Sequence, residues 1–119
     1  MNENAHRNKA QRIERSLRLL NDDHFEAVIE GAMLAGTHWF NIILHRLALA
    51  PENADAMHAE FLPFSVRRKA AVRIPAALQA LDEIEALRTT HVRGDMPDGP
   101  KAAQRALASL KILREQAMS

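Results

Sequence analysis

The chemistry available to this chain rests on its six histidines, its arginines and its carboxylates, because it contains no cysteine. Thiolate metal sites, disulfides and cysteine nucleophiles are therefore excluded. A metal site in a helical protein needs ligands three or four residues apart on core-facing helices. Two such pairs occur, Glu3-x-x-His6 near the N-terminus and Asp55-x-x-His58 in a proline-containing connection. Neither is expected on a core-facing helix. His38 and His45 share a helix face but stand two turns apart, so the sequence predicts no metal and no cofactor. Thr37, His38, Asn41 and His45 form a polar band among Trp39, Phe40, Ile42 and Ile43. The band reads either as polar groups met by solvent or backbone, or as a cleft wall whose histidines move protons near neutral pH. Gly-x-Ser-x-Gly, a phosphate-cradling glycine loop and His-Glu-x-x-His are all absent.

A second cluster is electrostatic. Arg67, Arg68, Lys69 and Arg73 fall within ten residues that hold no acid, and they are the candidates for phosphate contacts. Residues 1–20 carry five basic and two acidic groups, residues 21–64 one and seven, and residues 75–119 six of each. The net charge of +1 thus conceals alternating blocks. A solvated helix start is the plainer reading of the cluster. Exposed aromatics would favour nucleic acid, but all five aromatics sit in apolar runs and are expected in the core. Arg93-Gly94-Asp95 reads as a helix end and turn.

The elements that must position these groups are helical. With 119 residues, four glycines and no tyrosine, the chain fits a single domain over 1–119 and argues against a sandwich or barrel. Ala10, Ile13, Leu17 and Leu20 predict a first helix from about Ala5 to Leu20. Asp23, with Glu26 as capping partner, opens a second helix to about Ala50. It is apolar over most of its circumference, its polar residues filling a band of about 120°. Such a helix needs several neighbours, and its excess of apolar surface suggests a homodimer. Gly31, Ala32, Ala35 and Gly36 would let a partner backbone approach. In the 51–65 connection a short helical turn is expected around Ala54–Phe61, with Phe61, Leu62 and Phe64 folded onto the core. A third helix, Ser65 to Val92, either kinks at Pro75 or restarts there. The last, Pro100 to Ala117, buries Ala103, Ala106, Leu107, Leu110 and Leu113. The expected fold is all-α, an antiparallel up-and-down four-helix bundle with room for a fifth short helix at 51–65. Met1 to Arg18 lacks the apolar core of a signal peptide, and His38, Asn41, His45 and Arg46 interrupt the most apolar stretch. A cytoplasmic protein without a membrane span is expected.

Two segments together carry a family resemblance. Leu81 to Arg114 reads LDEIEALRTTHVRGDMPDGPKAAQRALASLKILR, and before it GAMLAGTHWFNIILHRLAL forms a central helix of small and aromatic residues. Over roughly residues 10–115 the chain resembles HEPN domains, the higher-eukaryote and prokaryote nucleotide-binding helical bundles. The resemblance implies a four- or five-helix bundle that dimerises and binds a nucleotide, RNA or protein partner, in settings such as toxin–antitoxin or defence systems. The catalytic branch of that family pairs Arg with a His across four to six intervening residues. Arg18-LLNDD-His24 is the matching spacing here, but it spans the turn between the first two helices, earlier than the family's motif. The resemblance therefore implies a non-catalytic module. The alternatives are a metal-independent RNase using Arg18 and His24, and a purely structural interaction bundle.

Overall fold

The computed structural model describes residues 1–56 and 62–119, and all regular structure among them is helical. Five α-helices are present: α1 Glu3–Leu17, α2 Phe25–Arg46, α3 Phe64–Arg73, α4 Pro75–Leu87 and α5 Gly99–Met118. A three-residue 3₁₀ turn, Asp22–His24, precedes α2, and a π-helical segment, Arg88–Arg93, extends α4.

Helix α1 starts earlier than its apolar stripe predicts because the Asn2 side chain caps it, accepting from the Ala5 N–H at 2.8 Å. The residues it buries fully are His6, Ala10 and Glu14, one line at a spacing of four, while Ile13 and Leu17 pack at its edge. Two of those three are polar. The next cap also differs from expectation. Asn21, not Asp23, accepts from the Asp23 N–H at 2.9 Å, and the His24 ring, not Glu26, accepts from the Asn21 N–H at 3.2 Å. An amide side chain and an imidazole complete the reciprocal box nearer to the preceding helix.

Helix α2 is the centre of the fold and packs against α1, α4 and α5. Its broad apolar arc, including Ile29, Met33, Trp39, Phe40 and Leu44, is buried within the single chain, so a second copy is not needed to cover it. Residues 22–46 are the one stretch among the described residues long and apolar enough to cross a membrane, and 72% of its most apolar window is inside the fold. That burial is what the core helix of a soluble fold shows. The small residues admit side chains rather than a backbone: Gly31 faces Leu17, and a Cβ at Gly36 would lie 3.0 Å from Leu113 Cδ1. Leu17 meets Gly31 while Glu3 pairs with Arg46, so α1 and α2 run in opposite senses.

The end of α2 comes four residues before the expected one. Ala48 adopts a left-handed conformation (φ 56°), and the N–H groups of Ala48 and Leu49 bond back to the carbonyls of His45 and Leu44. This is the Schellman closure, here with alanine where glycine is usual. Farther on, Pro75 starts a new helix instead of kinking one. Ile74, at φ −139°, breaks the α conformation as a residue before proline tends to. Leu62 is buried as expected, but Phe64 is 74% exposed, and Leu107 is 37% exposed. Phe64 opens α3 just after Pro63 on the outward face, and Leu107 lies at the margin of the α5 stripe. Phe61 and most of the expected 54–61 turn lie outside the described residues.

Candidate functional site

The Schellman closure of α2 folds the chain back over the helix end, and this brings the Ala50 carbonyl to 2.9 Å from His45 Nδ1. Residues 51–56 then return along α2. Asn41, 1% exposed, holds them: its Oδ1 accepts from the Ala56 N–H at 2.7 Å, and its Nδ2 donates to the carbonyls of Ala56 and Thr37, each at 2.9 Å. Asp55 is thereby set against the face of α2 that carries His38 and His45. From the other side, α1 is fixed by the Glu3–Arg46 pair, and His6 follows one turn later.

Four side chains converge. Asp55 Oδ1 lies 2.8 Å from His45 Nε2 and 3.0 Å from His6 Nε2, and His6 Nδ1 lies 2.9 Å from His38 Nδ1. The His6 and His45 side chains are 1% and 5% exposed and Asp55 is 23% exposed, so the cluster opens to solvent at the carboxylate. The second oxygen, Oδ2, faces the Met1 amine at 3.2 Å. Burial lowers the His6 and His38 pKa values, His38 to about 4, with the neighbouring His6 adding to the effect on His38. For Asp55 burial acts upward, but hydrogen bonds from His45, His6 and the amine outweigh it, and its pKa is lowered.

Donor and acceptor roles in this cluster are constrained. A carbonyl only accepts, so His45 Nδ1 carries the hydrogen that bonds Ala50. Its Nε2 then faces an acceptor too, the Asp55 carboxylate, although a neutral imidazole has a single N–H. Either a second proton resides on the His45–Asp55 pair or a cation stands between Nε2 and Oδ1. His6 has no such conflict. With hydrogen on Nε2 it donates to Asp55, and its Nδ1 accepts from His38 Nδ1–H.

The polar band thus divides. Thr37 Oγ1 donates to the Met33 carbonyl at 2.7 Å, and it and Asn41 are buried groups met largely by backbone. His38 and His45 belong to the cluster. His6, near the N-terminus, and Asp55, in the proline-containing connection, are not expected from the sequence on a core-facing element, yet both join the cluster. The Asn2 cap and the four-residue line through His6, Ala10 and Glu14 are the signal that placed His6 inward. For Asp55 only the Asn41 clamp explains its position, and no spacing announces it. His58 lies outside the described residues.

The basic residues are elsewhere, on α3. Arg67 is committed to α4, its Nη1 and Nη2 donating to the two Asp82 oxygens at 2.8 and 3.0 Å. Arg68, Lys69 and Arg73 are exposed and make no ion pair among the described residues. With Leu47, Ala48, Leu49, Ser65 and Val72 they line an open cleft of about 690 Å3 between the end of α2 and α3. The Arg68 guanidinium sits 5.7 Å from the centre of the exposed Phe64 ring, within cation–π range. Arg18 and His24 are both exposed, and no hydrogen bond joins them; His24 serves the cap before α2. The chain matches no known family, no curated protein and no solved structure.

Proposed function

We propose that the protein is a non-catalytic, HEPN-like helical-bundle module of the cytoplasm that binds RNA through the α3 cleft. The observation that carries this reading is the combination on one short helix of an exposed aromatic ring and three exposed cations that make no ion pair among the described residues. Arg68, Lys69 and Arg73 can neutralise phosphates, and Phe64 offers a face on which an unpaired base can stack. Apolar walls at Leu47, Leu49 and Val72 suit the rest of a nucleotide. The opposed senses of α1 and α2 support the antiparallel bundle that the resemblance implies. Homodimerisation rests on that resemblance alone, because α2 covers its apolar arc within the chain.

The test is the salt dependence of binding to a single-stranded RNA oligonucleotide, read by fluorescence anisotropy. Affinity is expected to fall steeply with salt, and the Arg68, Lys69, Arg73 triple alanine variant to lose about two from the log–log slope. Salt-independent binding, or a triple variant that binds like the parent, would overturn the reading.

A further inference from the structure

A second site stands apart from the α3 cleft and does not depend on its function. We propose that His6, His45 and Asp55 bind one divalent transition-metal ion, through Nε2 of both histidines and Oδ1 of the aspartate. These three donor atoms already lie within 4.8 Å of one another. The distances from Oδ1 to the two nitrogens, 2.8 and 3.0 Å, need to widen only slightly, since tetrahedral ligands at zinc distances stand about 3.3 Å apart. Asn41 holds the connection at Ala56, so the widening falls on the Asp55 side chain, while the two histidine nitrogens, within 4.8 Å of each other, draw together to about 3.3 Å.

The surroundings are those of a ligand set. Metal-bound histidines characteristically donate their other N–H to a carbonyl or a comparable acceptor, which fixes the ring and its tautomer. His45 does this toward Ala50 at 2.9 Å, and His6 has His38 Nδ1 at 2.9 Å for the same purpose. The His6–His38 bond survives either direction of donation. If the His6 hydrogen moves to Nδ1 and His38 accepts it, His6 Nε2 is freed as a ligand without loss of the contact. At His45 a cation resolves the meeting of two acceptors that otherwise requires an extra proton. The partial exposure of Asp55 leaves a side on which water can complete the coordination. Two imidazoles with a single carboxylate favour borderline ions such as Zn2+ over Ca2+ or Mg2+, which prefer oxygen-rich cages.

The full-length chain, treated with chelator and then titrated with Zn2+ by calorimetry, is expected to take up one ion per chain, with Mg2+ giving no heat. Asp55→Asn keeps an oxygen acceptor for the histidines but removes the anionic ligand, and should weaken Zn2+ binding at least about 100-fold. His38→Ala, acting on the orientation of His6, should weaken it about 10-fold. His24→Gln, far from the cluster, should leave it unchanged. Histidine 15N NMR of the unsubstituted protein reads the ligands even if a variant fails to fold: Zn2+ should shift Nε2 of His6 and His45. Absence of saturable binding, unchanged affinity in a folded Asp55→Asn protein, or shifts confined to other histidines would each overturn the proposal.

Discussion

In the histidine cluster, His6, His45 and Asp55 turn toward one another, largely out of water, and each nitrogen has a defined partner. In the α3 cleft, Arg68, Lys69 and Arg73 reach into solvent and make no ion pair among the described residues, Arg68 alone lying against the Phe64 ring. The cluster therefore stores its order in the fold and is sensitive to anything that disturbs backbone or protonation. The cleft carries charge that the fold does not use, so its residues can change with little cost to stability. Arg67 marks the boundary between the two modes, since its bidentate bond to Asp82 ties α3 to α4 and removes it from the open charge.

The largest effect expected on this contrast comes from Asn41→Ala. It removes three hydrogen bonds, two of them the ones that satisfy the part-buried Ala56 backbone, which should cost about 2–3 kcal/mol in urea unfolding. Because Asn41 also sets Asp55, the variant should lose the close approach of Asp55 to both histidines, visible as altered histidine ring shifts by NMR. A loss below about 0.5 kcal/mol, the range of ordinary surface changes, would mean that the cluster is not held by this clamp.

Protonation should come next. Burial keeps the folded-state pKa of His6 and His38 below the ordinary value of 6.5, His38 at about 4, with His6, Lys9 and Asp55 also acting on His38. The unfolded chain then binds protons first as pH falls, so stability should decline from pH 6.5 down to about 4 and recover as pH rises through that window. Asp55, whose folded-state pKa is lowered, adds a further loss below its usual 3.8. His38→Gln should flatten the slope between pH 4 and 6.5. An unaltered slope would show that the histidine titrates as if exposed.

Much of this architecture is legible from residue order, and the exceptions share a cause. Helical periodicity finds α2, α4 and α5 because most of their buried residues are apolar. It misplaces the α1 stripe because His6 and Glu14 are buried by specific partners: His38 and Asp55 for His6, and the Trp39 indole at 2.7 Å with Arg114 for Glu14. Pairing across a fold leaves no trace in local spacing. The same reason hides Asp55, which reaches the site only through the Asn41 clamp. The basic run on α3 is plain in the sequence, but the separation of Arg67 from the other three depends on Asp82, fifteen residues on. Phe64 misleads in the opposite direction, being apolar in type yet exposed.

A smaller and favourable effect is expected from Ala48→Gly, at the joint between the two regions. Ala48 holds φ at 56° to close α2, aim Ala50 at His45 and line the cleft. Glycine relieves the left-handed penalty but adds freedom to the unfolded chain, leaving a net gain of about 0.5–1 kcal/mol. Thermal unfolding should shift upward with the histidine ring shifts unchanged. A destabilised variant would show that the Ala48 methyl packs more strongly than its conformation costs.

The smallest change in stability is expected at the exposed ring beside the cleft, against Arg68. Phe64→Ala removes a ring that is 74% exposed and lies against the exposed Arg68, so unfolding should move by no more than about 0.5 kcal/mol. RNA binding should respond quite differently. If a base stacks on this ring, affinity should fall by an amount matching about 1–3 kcal/mol, with the salt slope preserved because no phosphate contact is lost. The triple alanine variant should do the reverse, reducing the slope while leaving any stacking partner in place. Were Phe64→Ala to destabilise the fold as much as it weakens binding, the ring would belong to the packing of α3, and the division between a cluster held by the fold and a cleft left open by it would fail at its clearest point.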